Sequence, residues 1–226
     1  AFIMVPGGID GPDKDLEGKN VTHRLSYPQY DAVVNRLRDL NLNNRPEDRV
    51  KVIFVPSYLN GSDGIFNMKY YDLLIGMDLT VFPSYYEPWG YTPMESLAFG
   101  VPSITTSLAG FGRWMNSGKY DIDKVLTVIE RNDDNIKEVI SKIKITIEEF
   151  LKNDRKENQN LKAKAMNLSS TVVWEKLINN YIEAYDRAIL RAEFRKEQYS
   201  HKQSISQEFT SQINWGQTPN WKKIFI

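Results

Sequence analysis

Two glutamates, Glu87 and Glu95, stand in the part of the chain best suited to chemistry, with seven residues between them. A run typical of a buried strand, residues 79–82, precedes Glu87, and a helix is predicted to begin just before Glu95. A carboxylate near a strand end can accept hydrogen bonds from a polyhydroxylated ligand, and a helix N-terminus attracts an anion. The pair therefore indicates a site suited to a nucleotide sugar.

The elements that position these glutamates follow from local patterns. Thr92, Pro93 and Glu95 match a capping box, with Thr92 at the N-cap, Pro93 at the first helical position and Glu95 at the third. The helix is predicted to end at Gly100, a residue type favoured just after a helix, and residues 101–107 predict another buried strand. This order indicates a right-handed parallel crossover, in which ligands bind where the strands end.

Each of these residues also has an interpretation that needs no ligand. Glu95 can reach back to the backbone amide of Thr92 and complete the capping box, and Glu87 can be a solvated loop carboxylate. Four aromatic residues of the same turn can be packing residues: Tyr85, Tyr86, Trp89 and Tyr91. Aromatic residues are unusual in a turn with glycine and proline, because they normally lie on the periodic faces of a core. Together the residues favour a ligand site.

The segment FPSYYEPWGYTPMES, followed by VPSITTSLAGFG, closely resembles the donor-binding motif of glycogen synthases of the fungal and animal type. The resemblance extends upstream through RVKVIFVPSYLN and KYYDLLIGMD and continues more loosely into the C-terminal part. It implies an α/β fold with a Rossmann-like parallel sheet, which is the C-terminal domain of a GT-B glycosyltransferase, and a helical C-terminal extension. It also implies transfer of glucose from a nucleotide sugar to the non-reducing end of an α-1,4-glucan, with retention of anomeric configuration.

The resemblance assigns roles to residues of this chain. Glu87 is expected to be catalytic, contacting the donor sugar and stabilising positive charge at the anomeric carbon. Glu95 is expected to accept hydrogen bonds from the ribose, and Tyr70 to stack on the base. The other expected donor-binding residues line the pocket, hold sugar hydroxyls or contact the phosphates: Tyr58, Trp89, Gly90, Tyr91 and Thr92. Core packing is the alternative role for Tyr58 and Tyr70.

The implied ligands are substrates, and neither an organic cofactor nor a metal is implied. UDP-glucose is favoured over ADP-glucose by the resemblance alone, since a tyrosine face stacks on uracil and adenine alike. Glycogen or another α-glucan is expected to bind through an N-terminal domain that this sequence lacks. The family's arginine and lysine that neutralise the donor phosphates also lie upstream of the sequence, which opens directly on a predicted strand, AFIMVP. The isolated chain is therefore expected to bind nucleotide weakly and to be inactive.

Two other functions stay open at this stage. One is a different GT-B enzyme, such as another glycosyltransferase or a sugar-nucleotide epimerase, and the close match of EPWGYTP argues against it. The other is a non-catalytic nucleotide-sugar-binding module, and the presence of both Glu87 and Glu95 argues against that.

A regulatory prediction concerns residues 151–167. Members of the family carry an arginine-dense helix here that senses glucose 6-phosphate through bidentate contacts to its phosphate. This chain keeps Arg155 but otherwise offers Lys156, Lys162 and Lys164. Lysine does not reproduce the arginine fork. Strong activation by glucose 6-phosphate is therefore not expected.

Composition narrows the remaining function classes. The 29 basic and 29 acidic residues cancel, so no net field draws the chain to nucleic acid or to an anionic membrane. It lacks both a run of about 20 apolar residues and a signal-peptide pattern. Cysteine is absent, and the two histidines, His23 and His201, are far apart, so no metal site is expected. A cytoplasmic protein is expected, and a homo-oligomer is compatible with the sequence.

Residues 1–132 are expected to form the Rossmann-like core, residues 133–200 a helical continuation of the same domain, and residues 201–226 a C-terminal tail. Trp215 and Trp221 of the tail are expected to pack on the domain surface or to contact another domain or subunit. Residues 7–26 are predicted to be a loop. Predicted strands cover 1–6, 50–56, 79–82, 101–107 and 124–131, and predicted helices cover 28–42, 70–77, 93–99, 136–152, 158–168 and 171–199, the last capped by Ser170 or Thr171.

Overall fold

The computed structural model describes residues 1–212, with side chains described as far as residue 199. Contacts between residues divide the chain into two compact units, one formed by Ala1–Ser170 and one that begins at Thr171. The expected positions of Trp215 and Trp221 lie outside the described residues. The domain division at residues 132 and 200 stays a prediction.

The first unit contains seven short strands in three sheets. One sheet pairs β1 (Phe2–Met4) in parallel with β4 (Ile53–Val55), and a second pairs β2 (Ile9–Pro12) antiparallel to β3 (His23–Leu25). The third sheet is parallel throughout, with the strand order β5 (Thr80–Val81), β6 (Ser103–Thr106) and β7 (Leu126–Ile129). The predicted α/β class with parallel strands is therefore confirmed.

Six α-helices accompany these strands: α1 (Ala32–Asp39), α2 (Tyr70–Leu74), α3 (Tyr91–Ala98), α4 (Gly110–Met115), α5 (Ile136–Phe150) and α6 (Arg155–Ser169). A 3-10 turn, Pro28–Tyr30, precedes α1. The second unit contains α7 (Trp174–Gln212). No helix within the described residues is both long enough and apolar enough to cross a membrane.

The core of the first unit is centred on β6. All four residues of this strand are buried between β5 and β7, with Ser103 opposite both Thr80 and Leu126. Ile104, Ile129 and Val139 form one apolar cluster, in which α5 covers the sheet. The helix α3 packs against α6 on another side. The candidate site lies at the carboxyl ends of β5 and β6, next to this buried core.

The prediction that residues 7–26 form a loop is wrong, because β2 and β3 pair there. Backbone hydrogen bonds from Asp13 N to Thr22 O and from Ser26 N to Gly8 O hold the two segments together, each over 3.0 Å. Pairing of this kind uses main-chain groups only. A polar stretch without alternating apolar residues can therefore form strands that a hydrophobic pattern does not predict.

Helix ends also differ from the predictions. The helix predicted over 28–42 begins only at Ala32, because Asp31 caps it and accepts a hydrogen bond from Val34 N over 2.9 Å. The helix α6 begins at Arg155, three residues before the prediction, since Asp154 and Glu157 form a capping box. Neither Ser170 nor Thr171 caps the last helix, because α7 begins at Trp174, and it continues past residue 199 to Gln212.

Candidate functional site

Glu87 is held by the chain segment that follows β6. Its backbone amide donates to Leu108 O over 3.1 Å, and its carbonyl accepts from Gly110 N over 3.1 Å. Phe111 N donates to the carbonyl of Trp89. The residues after β5 and those after β6 thus continue side by side beyond the sheet, with Glu87 opposite Ala109. The backbone at Glu87 is fixed by this pairing.

The pairing requires a glycine at position 110. A Cβ placed on Gly110 would lie 2.2 Å from the carbonyl oxygen of Pro88, a distance that no real Cβ contact shows. Gly110 thus lets the two backbones approach closely. The turn that carries Glu87 depends on this close approach.

The helix α3 starts earlier than the capping-box pattern predicts. Its N-cap is Gly90, with φ +104° and no capping side chain, and Tyr91 is the first helical residue. Thr92 and Pro93 are therefore the second and third helical positions, and Glu95 is the fifth, so the predicted capping box is wrong. The left-handed backbone at Gly90 turns the chain into the helix two residues before Thr92. The first-turn amides of Tyr91 and Thr92 have no intrahelical acceptor.

The carboxylate of Glu87 lies beside the N-terminus of α3. A Cβ placed on Gly90 would lie 3.6 Å from Glu87 Oε2, and Ser84 Oγ donates to the same oxygen over 3.2 Å. The positive end of the helix dipole favours a negative charge at this place. Glu87 is partly buried, so its carboxylate is less solvated than that of a fully exposed loop residue.

Glu95 faces α2 instead of the start of its own helix. Tyr71 Oη donates to Glu95 Oε1 over 2.9 Å, and this hydrogen bond raises the pKa of the Tyr71 hydroxyl. The Tyr71 ring stacks on Phe99 with centroids 5.1 Å apart. One carboxylate oxygen of Glu95 is thus occupied by a tyrosine, and the other has no partner among the described residues.

Tyr58 and Tyr70 lie on adjoining segments. Tyr70 N donates to Leu59 O over 3.0 Å, which joins the start of α2 to the loop that carries Tyr58. Tyr70 is half-buried, and this burial and the charge of Glu95 raise the pKa of its hydroxyl. Tyr58 is 76% exposed, so core packing does not explain it.

The aromatic residues of the turn have different environments. Trp89 packs against Phe111 and Trp114, with ring centroids 5.9 Å apart in both pairs, so packing explains this residue at least in part. Tyr86 and Tyr91 are exposed. Trp89, Gly90 and Tyr91, although adjacent in sequence, are thus partly buried, buried and exposed, respectively.

Arg131 is a site-proximal residue that the sequence patterns did not reveal. It follows β7, is only 4% exposed, and its Nη1 donates to Pro83 O over 2.6 Å. The guanidinium carbon lies 3.4 Å from the centroid of the Tyr85 ring. A basic residue at the last position of a predicted strand is a signal that could have identified it.

The structure contains no group of three or more described His, Cys, Asp or Glu residues that could hold a metal ion. His23 is buried between Thr22 Oγ1, at 2.8 Å from its Nδ1, and the carbonyl oxygen of Asp63, at 2.9 Å from its Nε2. Because a carbonyl can only accept, Nε2 carries a proton, and His23 bridges two segments of the fold. The side chain of His201 lies outside the described residues.

The parallel strands and their helices place the chain in the α/β class, with Glu87 and the N-terminus of α3 just beyond the carboxyl end of β5. Within that class the chain belongs to the glycogen synthase family, since the family model described as glycogen synthase matches residues 16–221.

Curated relatives agree with this assignment. The chain is 37% identical over 177 residues to glycogen (starch) synthase isoform 2 of Saccharomyces cerevisiae, an alignment that covers 76% of this chain and 25% of the relative. It is 35% identical over 177 residues to glycogen (starch) synthase of Neurospora crassa, in an alignment that covers 76% of this chain and 24% of the relative. It is 38% identical over 148 residues to glycogen (starch) synthase of Caenorhabditis elegans. That alignment covers 65% of this chain and 22% of the relative. The chain thus spans about a quarter of the length of these relatives.

Proposed function

We propose that this chain is the donor-binding domain of a retaining glucosyltransferase of the GT-B architecture, a glycogen synthase. It acts in the cytoplasm and transfers glucose from a nucleotide-glucose, with UDP-glucose as the favoured donor, to the non-reducing end of an α-1,4-glucan. The match to glycogen synthases over three quarters of the chain supports this assignment. The glucan acceptor is held by another domain, as the length of the relatives allows.

One observation carries the proposal, namely that Glu87 holds its carboxylate beside the N-terminus of α3. Oε2 lies 3.6 Å from the position that a Cβ on Gly90 would occupy. A pyrophosphate bound by the first-turn amides of Tyr91 and Thr92 would bring the attached sugar next to this carboxylate. An anion site and a fixed negative charge are thus adjacent, as transfer from a sugar phosphate requires.

The chemistry follows from these positions. When the bond between the anomeric carbon and the leaving phosphate breaks, positive charge develops on the sugar and negative charge on the phosphate. The carboxylate of Glu87 stabilises the first, and the amides at the start of α3 stabilise the second. Both groups are held before the reaction, Glu87 by Ser84 Oγ and by backbone pairing, so little reorganisation is needed.

The nucleoside is bound on the α2 side of the site. Glu95 accepts a hydrogen bond from a ribose hydroxyl through the carboxylate oxygen that Tyr71 does not occupy. The carboxylate can accept both bonds, because its two oxygens offer about four acceptor positions. Tyr70 presents a half-buried ring to the base, and Tyr58 lines the same pocket from the adjoining loop. These contacts stay predictions, as do the contacts of Trp89 and Gly90 with sugar hydroxyls.

Residues 151–167 do not favour strong regulation by a sugar phosphate. Of the lysines in residues 151–167, Lys164 pairs with Asp121 over 3.0 Å and donates to the carbonyl oxygen of Asp123 over 3.0 Å. It is therefore engaged within the first unit. We propose that glucose 6-phosphate activates the full-length enzyme by less than about twofold, since lysines do not form the bidentate phosphate contacts of arginine. Severalfold activation at millimolar glucose 6-phosphate would contradict this.

Calorimetric titration of this chain with UDP and with ADP tests the donor pocket. We expect weak binding of UDP that is lost in Tyr70→Ala and in Glu95→Ala, and retained in Tyr27→Ala, a control at an exposed tyrosine outside the site. Binding of ADP in preference to UDP would contradict the choice of donor. The chain alone should not elongate glycogen, and glucosyl transfer by it would contradict its role as a donor domain only.

Activity is tested in the full-length enzyme. Glu87→Gln preserves the shape of the side chain but removes its charge, and we expect kcat to fall by about 100-fold or more. Glu17→Gln, at an exposed glutamate outside the site, should leave kcat unchanged. Elongation of a glycogen primer with inverted stereochemistry, or a product other than an elongated glucan, would overturn the assignment in favour of another GT-B enzyme.

A further inference from the structure

Arg131 places a buried positive charge under the turn that carries Glu87. Its side chain is 4% exposed, and no carboxylate of the described residues lies within ion-pair distance. The guanidinium makes two contacts: Nη1 donates to Pro83 O over 2.6 Å, and its carbon lies 3.4 Å from the Tyr85 ring centroid. Nε is buried without a partner.

A buried guanidinium is costly unless polar or aromatic groups compensate its charge. Here the two groups that compensate the guanidinium, the Pro83 carbonyl and the Tyr85 ring, belong to the same short segment. This segment follows β5 and ends at Glu87. The backbone amide of Arg131 donates to Ser107 Oγ over 3.0 Å, which fixes the arginine itself beside β6. Arg131 thus connects a rigid part of the sheet to the segment before Glu87.

A second contact holds the next residue of that segment. Thr106 Oγ1, on β6, donates to Ser84 O over 2.7 Å. Ser84 in turn donates its hydroxyl to Glu87 Oε2 over 3.2 Å. The Pro83 carbonyl is therefore held by Arg131 and the Ser84 carbonyl by Thr106, both buried residues. Ser84 also contacts the Glu87 carboxylate directly.

We propose that Arg131 is a positioning residue for the reaction: it fixes the segment from Pro83 to Glu87 through the Pro83 carbonyl and the Tyr85 ring, and thereby holds the Glu87 carboxylate at the anomeric carbon. This inference rests on the proposed function, because it assigns Arg131 a role only through Glu87. Arg131 itself does not contact the donor. Loss of the arginine therefore affects the chemical step more than donor binding.

Steady-state kinetics of the full-length enzyme test the proposal in a double-mutant cycle. Arg131→Met removes the charge and the donors while retaining much of the side-chain volume, and we expect kcat to fall about 10- to 100-fold with KM for the nucleotide-glucose changed about threefold or less. In a Glu87→Gln background the same substitution should lower kcat by about threefold or less. An equal loss in both backgrounds would overturn the proposal, because a general loss of folding is independent of Glu87.

Control and supporting variants make the outcome interpretable. Arg113→Met removes an exposed arginine of α4 and should leave kcat unchanged. Tyr85→Leu removes the ring under the guanidinium at a 60% exposed position, and it should lower kcat in the same non-additive way, with Tyr85→Phe less affected because the ring face remains. If Arg131→Met does not fold, Tyr85→Leu and Arg131→Lys decide the question, and unchanged kcat in both would overturn the proposal.

The kinetic data distinguish an error in the proposed function of Glu87 from an error in the positioning role of Arg131. If Glu87→Gln leaves kcat unchanged, the proposed function of Glu87 is wrong, and with it the role of Arg131. If Glu87→Gln lowers kcat but Arg131→Met does not, the proposed function stands and the positioning role of Arg131 is overturned.

Discussion

Tyr71 and Glu95, which are 24 residues apart in sequence, are joined by a hydrogen bond of 2.9 Å between Tyr71 Oη and Glu95 Oε1. The bond connects α2 to α3 and orients the carboxylate away from the start of its own helix. Glu95 is the fifth residue of α3, too far along the helix for a capping box, and its carboxylate is engaged by Tyr71 instead. A tyrosine on one helix thus determines which oxygen of a carboxylate on another helix is free to bind a ligand.

The first prediction concerns this hydrogen bond. Tyr71→Phe keeps the ring stacked on Phe99 but removes the donor to Glu95. Because the carboxylate then loses its fixed orientation, we expect nucleotide affinity to fall by about three- to tenfold, equivalent to about 1 kcal/mol. Calorimetry with UDP measures the change. Tyr27→Phe, at an exposed tyrosine, is the control, and unchanged affinity in Tyr71→Phe would show that the bond has no part in binding.

The second prediction concerns the close approach at Gly110. In Gly110→Ala the new Cβ would meet the Pro88 carbonyl oxygen at 2.2 Å, so the segment after β6 must move away from the Glu87 turn. We expect a loss of about 1–3 kcal/mol in the free energy of unfolding, measured by urea denaturation. The matched control is Gly8→Ala, whose Cβ would meet Ser26 Oγ at 3.7 Å, an ordinary contact. Equal stability of the two variants would mean that the two backbones can separate without cost.

The third prediction concerns the pH dependence of stability. Asp63 is buried, and although burial raises its pKa, the backbone amides of Phe66, Ile65 and Asn67 lower the pKa below its ordinary value. As pH falls, the unfolded chain therefore takes up the proton first. The stabilisation is present above about pH 4 and is lost as pH falls through the lower, folded-state pKa.

Asp63→Asn removes this charge. We expect it to lower the free energy of unfolding by about 1–3 kcal/mol at pH 7, because hydrogen bonds to a charged acceptor are stronger than those to a neutral one. The difference from the unaltered chain should shrink below about pH 4, which denaturation at several pH values would measure. Asp78→Asn, at an exposed aspartate, is the control. A difference that stays constant down to the lowest pH would argue against the charge as its cause.

The fourth prediction concerns the start of α6. Asp154 Oδ1 accepts from Glu157 N over 2.8 Å, and Glu157 Oε2 accepts from Asp154 N over 2.8 Å. Asp154→Ala removes the acceptor of the Glu157 amide, so we expect a loss of about 1 kcal/mol in stability, and Asp154→Ser should restore most of it. Thermal denaturation measures both, and Asp133→Ala, at an exposed aspartate, is the control. A loss in Asp133→Ala as large as that in Asp154→Ala would exclude the cap as the cause.

Local sequence patterns predicted much of the fold. The end of α3 is an example, since Gly100 follows the helix with φ +75°, as the preference for glycine at this position implies. The parallel pairing of β5 and β6 was also predicted, because a helical pattern lies between the two apolar runs. The pair β2 and β3 was missed, since main-chain pairing between polar segments leaves no hydrophobic pattern.

The sequence identified residues of the candidate site but not their arrangement in space. The motif EPWGYTP and its resemblance to a family identified Glu87, Glu95 and the turn between them. The start of α3 at Tyr91 could not be predicted, because the turn at Gly90 is held by residues 108–111, which pair with it across the sheet edge. A capping box is a pattern of four consecutive residues, so it contains no information on pairing with a distant segment.

The sequence by itself therefore determined which residues stand together along the chain, since helix ends, strand runs and the motif are encoded within short windows. Tertiary structure alone decided where the side chains point. Glu95 faces Tyr71, and Arg131 lies under the segment at Pro83, 48 residues earlier. The physical reason is that the orientation of a carboxylate, and the burial of a guanidinium, depend on hydrogen-bond partners that folding brings from distant parts of the chain.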